Sequence, residues 1–220
     1  MDRPRGSYAT MSQRAEPRDS LDDFPTPPWA TRALCEAIRD YIDPHISQRE
    51  AREPAANRGY MARPLAEYFA RVEASDIKDY GAGYPVRDYL GAAPMPATHW
   101  TITNPPFRRA QDFITRALDT SSIGVAMLVR LAFIEGIHRH ATLYGPRPPR
   151  FVLQFSERLP ILRGRYDPKA STASAYCWLI WTPPQTRGAV TYLNWIAPCR
   201  RRLERADDIW PGAKSERESQ

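Results

Sequence analysis

The sequence is poor in cysteine and contains no long run of apolar residues. Its 220 residues include three cysteines, Cys35, Cys177 and Cys199, which lie far apart and form no Cys-x-x-Cys pair. This spacing argues against a disulfide framework and a zinc ribbon, and it favours a reducing cytoplasm. Because no stretch of about 18 apolar residues is present, no transmembrane helix is predicted. The polar N-terminus predicts no secretory signal.

Lysine is also scarce, although the chain is basic. The sequence has 31 basic and 25 acidic residues, a net charge of +6, and its lysines are Lys78, Lys169 and Lys214. Arginine binds phosphate through its forked donors, so the composition is compatible with nucleic-acid binding. A codon bias toward arginine explains it equally well. The four histidines are scattered, and we predict no metal site.

The length and composition indicate one α/β domain with flexible ends. Hydrophobic residues make up 42% of the chain and charged residues 25%, enough for a packed core. Residues 1–20 are polar and without period, so we predict a disordered arm there. We expect a single ordered domain over residues 21–202 and a loose C-terminal tail over residues 203–220.

Helical and strand patterns alternate within this domain. The segments WATRALCEAIRDYI, MARPLAEYFA, RAQDFITRALDT and LAFIEGIHRHATLY have helical periodicity, and RVEASDI, HWTITN, IGVAMLVR, RFVLQFSERL and SAYCWLIWT have strand character. The alternation predicts an α/β fold with a doubly wound, mostly parallel sheet, helices on both faces and one antiparallel strand near the C-terminal end. The weakest element is the first strand, because ISQREARE before Glu53 is polar for a central strand.

The most specific motif follows the strand HWTIT. It reads Thr103-Asn104-Pro105-Pro106-Phe107. The two prolines lack backbone donors and stiffen the turn, while their carbonyls remain acceptors. Asn104 adds a side-chain carbonyl, and Phe107 adds an aromatic face. Two acceptors beside a ring suit a planar group that carries an NH2.

This motif resembles the catalytic motif of S-adenosylmethionine-dependent amino-methyltransferases, most closely the DNA adenine N6-methyltransferases of bacteria and bacteriophages. Four further segments resemble parts of that family in the same order. They are Asp23–Trp29, with its Phe-x-Thr-Pro, Glu53–Met61, Ala74–Ile77 and Val86–Leu90. The resemblance covers roughly Asp22 to Trp195, and it implies a class I, Rossmann-like fold.

The resemblance also implies roles for individual positions. Asn104 and the Pro105 carbonyl would hold the target amine, and Phe107 would stack on the base. Asp76 would accept hydrogen bonds from ribose hydroxyls, and Asp88, with Tyr89 nearby, would meet the adenine of the cofactor. The catalytic set is then Asn104, Pro105, Pro106 and Phe107, and the cofactor set is Phe24, Thr26, Pro27, Glu53, Ala55, Asn57, Gly59, Met61, Asp76, Ile77, Asp88 and Tyr89.

The sequence departs from the family pattern at Asn57, which replaces the first glycine of the cofactor loop. Glycine serves there because it adopts positive φ and permits close backbone approach. Asparagine is the side-chain-bearing residue that best tolerates the left-handed region. We therefore expect the loop to keep its shape.

The resemblance implies methyl transfer from S-adenosylmethionine to the N6 amine of adenine in DNA, with the base flipped out or single-stranded. Arg108, Arg165, Lys169 and Ser171 are weaker candidates for substrate contacts. DNA would be the partner, with no membrane and no metal involved. Two alternatives stay open. One keeps the chemistry and changes the substrate to adenine in RNA or glutamine in protein, which also present a planar NH2. The other is a catalytically inactive nucleic-acid-binding relative.

Overall fold

The computed structural model describes residues 22–170, 172–183 and 187–209, and these residues form one seven-stranded sheet. The strand order is β2-β1-β3-β4-β6-β5-β7. β6 runs antiparallel to β4 and β5, and the other neighbouring pairs are parallel. The strands are β1 Glu50–Glu53, β2 Arg71–Ala74, β3 Thr98–Thr103, β4 Ser121–Arg130, β5 Phe151–Phe155, β6 Tyr176–Trp181 and β7 Tyr192–Ile196. The predicted α/β sheet with one antiparallel strand is confirmed.

Helices cover both faces of the sheet. The α-helices are α1 Pro28–Tyr41, α2 Ala62–Leu65, α3 Ala110–Thr120, α4 Ile137–Arg139 and α5 Arg200–Leu203. Residues of α1, α2 and α5 pack on one face, and α3 packs on the other together with the π-helical turn His140–Tyr144. Successive residues of β4 point to opposite faces, so Ala126 and Leu128 join the first core while Met127 and Val129 join the second.

The first strand is short and polar, yet it lies inside the sheet. Arg52 is buried because its guanidinium pairs with Glu73 on β2 at 3.1 Å and donates to the Pro96 carbonyl at 2.7 Å. Glu53, the last residue of the strand, is fully buried. The polar side chains that make β1 hard to predict as a central strand thus have hydrogen-bond partners on neighbouring segments.

Two predicted helices differ from the structure. MARPLAEYFA forms only the short helix α2. The segment LAFIEGIHRHATLY is not continuous, since a 3-10 turn, α4 and a π-helical turn follow one another. The break coincides with Gly136, whose φ of 132° lies outside the helical region. None of the helices within the described ranges is long and apolar enough to span a membrane.

The first residues of the predicted C-terminal tail contact the body of the domain. Asp208 is buried and binds the buried Arg32 of α1 at 2.7 Å, and Arg32 also pairs with Glu67 at 2.9 Å. Leu203 and Asp208 therefore anchor the start of the predicted tail to the body, whereas Arg205, Ala206, Asp207 and Ile209 are exposed. The predicted arm and residues 210–220 lie outside the described residues.

Candidate active site

A cavity of about 350 Å³ opens at the carboxyl ends of β1, β2 and β3, where parallel sheets bind ligands. Thirteen residues proposed from the sequence line it. They are Phe24, Thr26, Glu53, Ala55, Asn57, Met61, Asp76, Ile77, Asp88, Tyr89, Asn104, Pro106 and Arg108. Segments as far apart in sequence as Phe24 and Arg108 thus meet in one pocket.

Other proposed residues support the cavity or lie away from it. Pro27 and Pro105 are buried beside it without lining it. Gly59 has a φ of 85°, and a Cβ there would clash with Tyr84, so glycine is required. Two of the candidate substrate residues, Arg165 and Lys169, are exposed outside the cavity lining. Ser171 lies outside the described residues.

Sequence reasoning missed several residues of the wall, among them Tyr60, Tyr80 and Phe113. Tyr80 lies in the loop after β2, where Arg58 stacks over its ring at 5.0 Å. Burial raises the pKa of the Tyr80 phenol above its usual value. Phe113 belongs to the inner face of α3 and contacts the Tyr89 ring at 5.0 Å between centroids. Aromatic residues at these positions are also ordinary core residues, so no sequence signal distinguishes them.

Glu53 brings a buried carboxyl group with one unsatisfied oxygen into the cavity wall. Its Oε1 accepts a hydrogen bond from the Thr103 hydroxyl at 2.5 Å and another from the Ala55 N–H at 2.9 Å. Its Oε2 is buried without a hydrogen-bond partner among the described residues. Burial raises the pKa of Glu53 to about 8; the nearby charge of Asp76 adds to this, and the two hydrogen bonds oppose it. Near neutral pH the group therefore carries a proton, and a positively charged ligand beside it would favour the ionised form.

Glu53 should make the stability of the protein depend on pH. Its folded-state pKa of about 8 lies above the ordinary 4.5, so the native state holds a proton that the unfolded chain releases. Relative to Glu53→Gln, the free energy of unfolding should fall as pH rises from 4.5 to about 8, by up to about 1.4 kcal/mol per pH unit. Urea titrations of both proteins between pH 5 and 8.5 measure this. A difference that stays constant across that range would contradict the assignment, and Glu50→Gln on the same strand is the matched control.

Asp76 and Asn57 fix the loop between β1 and α2. Asp76 Oδ2 accepts from the Asn57 N–H at 2.8 Å, and its Oδ1 accepts from the Lys78 N–H at 3.0 Å. Burial raises the pKa of Asp76, and these backbone hydrogen bonds oppose that rise. Asn57 has a φ of 49°, the left-handed conformation expected for a glycine substitute. The backbone at Asn57 therefore adopts the conformation for which the family pattern has glycine.

Asn104 follows β3 and has a fixed amide orientation. Its Nδ2 donates to the Phe24 carbonyl at 3.0 Å. Its Oδ1 is buried and finds no hydrogen-bond partner within the described part of the chain. Since an unpaired buried carbonyl costs about 1–3 kcal/mol, an N–H donor entering the cavity would relieve that cost. Asn104 thus combines a place in the cavity lining with an unsatisfied acceptor.

The Phe107 ring is covered in this structure. It does not line the cavity. The Phe24 ring lies 5.2 Å away at a tilt of 42°, and the Arg130 guanidinium lies 4.2 Å from the ring centroid. Arg130 is the last residue of β4, so it approaches from the carboxyl end of the sheet. A base stacking on Phe107 would have to displace this guanidinium.

Comparisons of the structure with solved proteins identify the fold. A candidate class I S-adenosylmethionine-dependent methyltransferase from Listeria monocytogenes matches with a TM-score of 0.58 at 10% identity, over 80% of this chain and 67% of its own. The chain has the fold of the class I S-adenosylmethionine-dependent methyltransferases. No protein-family model and no curated protein sequence matches it.

Two further matches to this fold are also described as methyltransferases. The methyltransferase subunit of a type I restriction-modification system from Streptococcus thermophilus matches with a TM-score of 0.57 at 10% identity, over 80% of this chain. This chain covers 48% of that subunit, about half its length. A candidate RNA methyltransferase from Pyrococcus horikoshii matches with a TM-score of 0.57 at 13% identity, over 76% of this chain and 91% of its own.

Within residues 22–170, 172–183 and 187–209, no group of three histidine, cysteine, aspartate or glutamate side chains could hold a metal ion. The described residues that line the cavity instead offer carboxylate and carbonyl oxygens with aromatic walls.

Proposed function

We propose that the protein transfers a methyl group from S-adenosylmethionine to the exocyclic N6 amine of adenine in DNA. The observation that carries this proposal is the buried, unpartnered Oδ1 of Asn104, which follows β3 in the wall of the cavity. The methyltransferase fold and the match to a restriction-modification subunit support it.

The residues of the cavity fit the proposed cofactor. When bound, S-adenosylmethionine supplies an electrophilic methyl group on a positively charged sulfur. Its ammonium, ribose hydroxyls and adenine amine are all hydrogen-bond donors, and the cavity is lined by acceptors. Glu53 offers an unsatisfied buried oxygen for a cationic donor. Asp76 would receive the ribose hydroxyls, and the exposed carboxylate of Asp88 would receive the adenine amine.

Asn104 activates and orients the target amine in this proposal. The lone pair of an exocyclic adenine nitrogen is delocalised into the ring, which makes the amine a poor nucleophile. Hydrogen bonds to Asn104 Oδ1 and the Pro105 carbonyl turn the amine hydrogens toward these oxygens and stabilise positive charge that develops on nitrogen. Transfer would break the carbon–sulfur bond as the carbon–nitrogen bond forms, and the surplus amine proton would leave to water. The rest of the rate gain comes from positioning.

Adenine in RNA is the second candidate substrate. The match to a candidate RNA methyltransferase, which covers 91% of that chain, favours it. The chemistry at Asn104 would be the same, because both nucleic acids present the same amine. Discrimination between DNA and RNA would depend on contacts with the sugar outside the cavity, where a 2′-hydroxyl would have to be accepted or rejected.

Calorimetry and a pair of duplexes test the proposal. Titration with S-adenosylmethionine should show one binding site. Tritiated methyl should then pass from the cofactor to a duplex that contains adenine and not to one built only of G·C pairs. Absence of cofactor binding at millimolar concentration, or equal labelling of both duplexes, would contradict the proposal.

Arg130 provides a test of base entry. If its guanidinium leaves Phe107 when a base enters, Arg130→Ala removes a cation–π contact of about 0.5–1 kcal/mol from the resting state. We then expect an oligonucleotide with one unpaired adenine to bind about two- to fivefold more tightly. Arg150→Ala is the matched control, because Arg150 stacks on Tyr192 at 4.8 Å beside another strand. If Arg130→Ala weakens binding more than the control does, Arg130 contacts nucleic acid itself.

A further inference from the structure

The segment Asp22–Phe24 joins the two halves of the cavity, and we refer to it as the N-terminal bridge. On one side, Asp23 Oδ1 accepts hydrogen bonds from Asn57 Nδ2 and Arg58 Nη1, both at 2.8 Å. These residues belong to the loop that follows β1. On the other side, the bridge contacts the turn that begins at Asn104 through three separate interactions, two of them hydrogen bonds.

The contact between Asp22 and Phe107 is the one that fixes the turn. Asp22 Oδ2 accepts from the Phe107 N–H at 2.6 Å. Because Pro105 and Pro106 have no N–H, Phe107 supplies the first backbone donor after Asn104. A carboxylate that accepts a backbone N–H makes a short, charge-assisted hydrogen bond, roughly twice as strong as a neutral one.

The bridge also determines which amide atom of Asn104 is available to a ligand. The Phe24 carbonyl accepts from Asn104 Nδ2 at 3.0 Å, so Nδ2 is used and Oδ1 is left without a partner among the described residues. The Phe24 ring packs on the Phe107 ring at 5.2 Å. If the turn shifted away from the bridge, the amide would lose the contact that distinguishes its two ends.

We infer that Asp22 is a positioning residue, which holds the Asn104 turn against the N-terminal bridge so that the Asn104 carbonyl oxygen faces the target amine. This inference rests on the proposed methyl transfer. Asp22 also lines the cavity, but in this role it acts through Phe107 and Asn104. Its loss should therefore slow transfer after both substrates have bound, since misplacing a reacting group by about 1 Å can cost about 100-fold in rate.

The test compares Asp22→Ala, Asp22→Asn and Asp79→Ala with the wild type. Asparagine at position 22 keeps an oxygen that can accept from Phe107. Asp79 is exposed and accepts from the Gly81 N–H at 2.7 Å, so its alanine variant controls for loss of a carboxylate–backbone hydrogen bond elsewhere. Single-turnover rates on adenine-containing DNA and dissociation constants for S-adenosylmethionine are measured for all four proteins.

We expect Asp22→Ala to lower the single-turnover rate about 10- to 100-fold. Its cofactor dissociation constant should change less than about threefold. Asp22→Asn should recover most of the rate, and Asp79→Ala should match the wild type. An Asp22→Ala variant at the wild-type rate, or one whose rate and cofactor affinity fall together, would overturn the role of Asp22 alone. A wild-type protein that binds no cofactor or methylates nothing would instead overturn the proposed function, and this role with it.

Discussion

Asn104→Ala is expected to reduce methyl transfer by about 100- to 1,000-fold, as the loss of a single polar group that stabilises a transition state does in other enzymes. The variant removes the unpartnered Oδ1 that would accept from the target amine. It also removes the Nδ2 donor to Phe24. Because neither atom is needed to hold the cofactor, the dissociation constant for S-adenosylmethionine should change less than about threefold.

Single-turnover kinetics and calorimetry measure the two quantities separately. Asn194→Ala is the matched control, since Asn194 is exposed on β7 at the edge of the sheet. The assignment of Asn104 fails if Asn104→Ala keeps the wild-type rate. It also fails if the variant loses cofactor affinity in proportion to rate, because the residue would then act in cofactor binding.

Asp76→Ala should instead weaken cofactor binding and leave the transfer rate at saturating cofactor nearly unchanged. Two effects add: the ribose hydroxyls lose their acceptor, and the loop loses the hydrogen bonds from the Asn57 and Lys78 N–H groups to the carboxylate. Hydrogen bonds to a charged group contribute about 1.5–3 kcal/mol each, so the dissociation constant for the cofactor should rise by at least about 100-fold. At saturating cofactor the transfer rate should recover toward the wild-type value.

The control for Asp76 is Asp119→Ala, which removes an exposed carboxylate paired with Arg147. Calorimetry across a wide range of cofactor concentration distinguishes the outcomes. If Asp76→Ala binds S-adenosylmethionine as tightly as the control variant does, the proposed ribose contact is wrong. A variant that binds weakly and also fails to transfer at saturation would place Asp76 in the chemical step.

The sequence predicted best the strands and helices whose local periodicity agrees with their packing in the core. The alternating strand β3, the apolar strand β4 and the amphipathic α3 have the positions that were predicted from periodicity. The central position of β1 was not predictable, because Arg52 is stabilised there by Glu73, 21 residues away. β7 was missed because most of its residues are exposed, so it lacks the buried-face alternation that marks a strand.

The residues of the site also differ in how well the sequence predicts them. Asn104 and Asp76 each follow a strand and carry a polar side chain, which a sequence can show. The covering of Phe107 by Arg130, 23 residues away, depends on the separation between the ends of β3 and β4, which no local pattern encodes. The same holds for Asp22, whose contact with Phe107 spans 85 residues.

The most direct test of the central claim is tritiated methyl transfer to DNA, RNA and protein side by side, followed by mass spectrometry of the digested nucleosides. We predict label in DNA, recovered as N6-methyladenine, from the wild type but not from Asn104→Ala. No label in any substrate, or label on a position other than an exocyclic amine, would contradict the claim that this cavity presents a planar amine to a methyl donor.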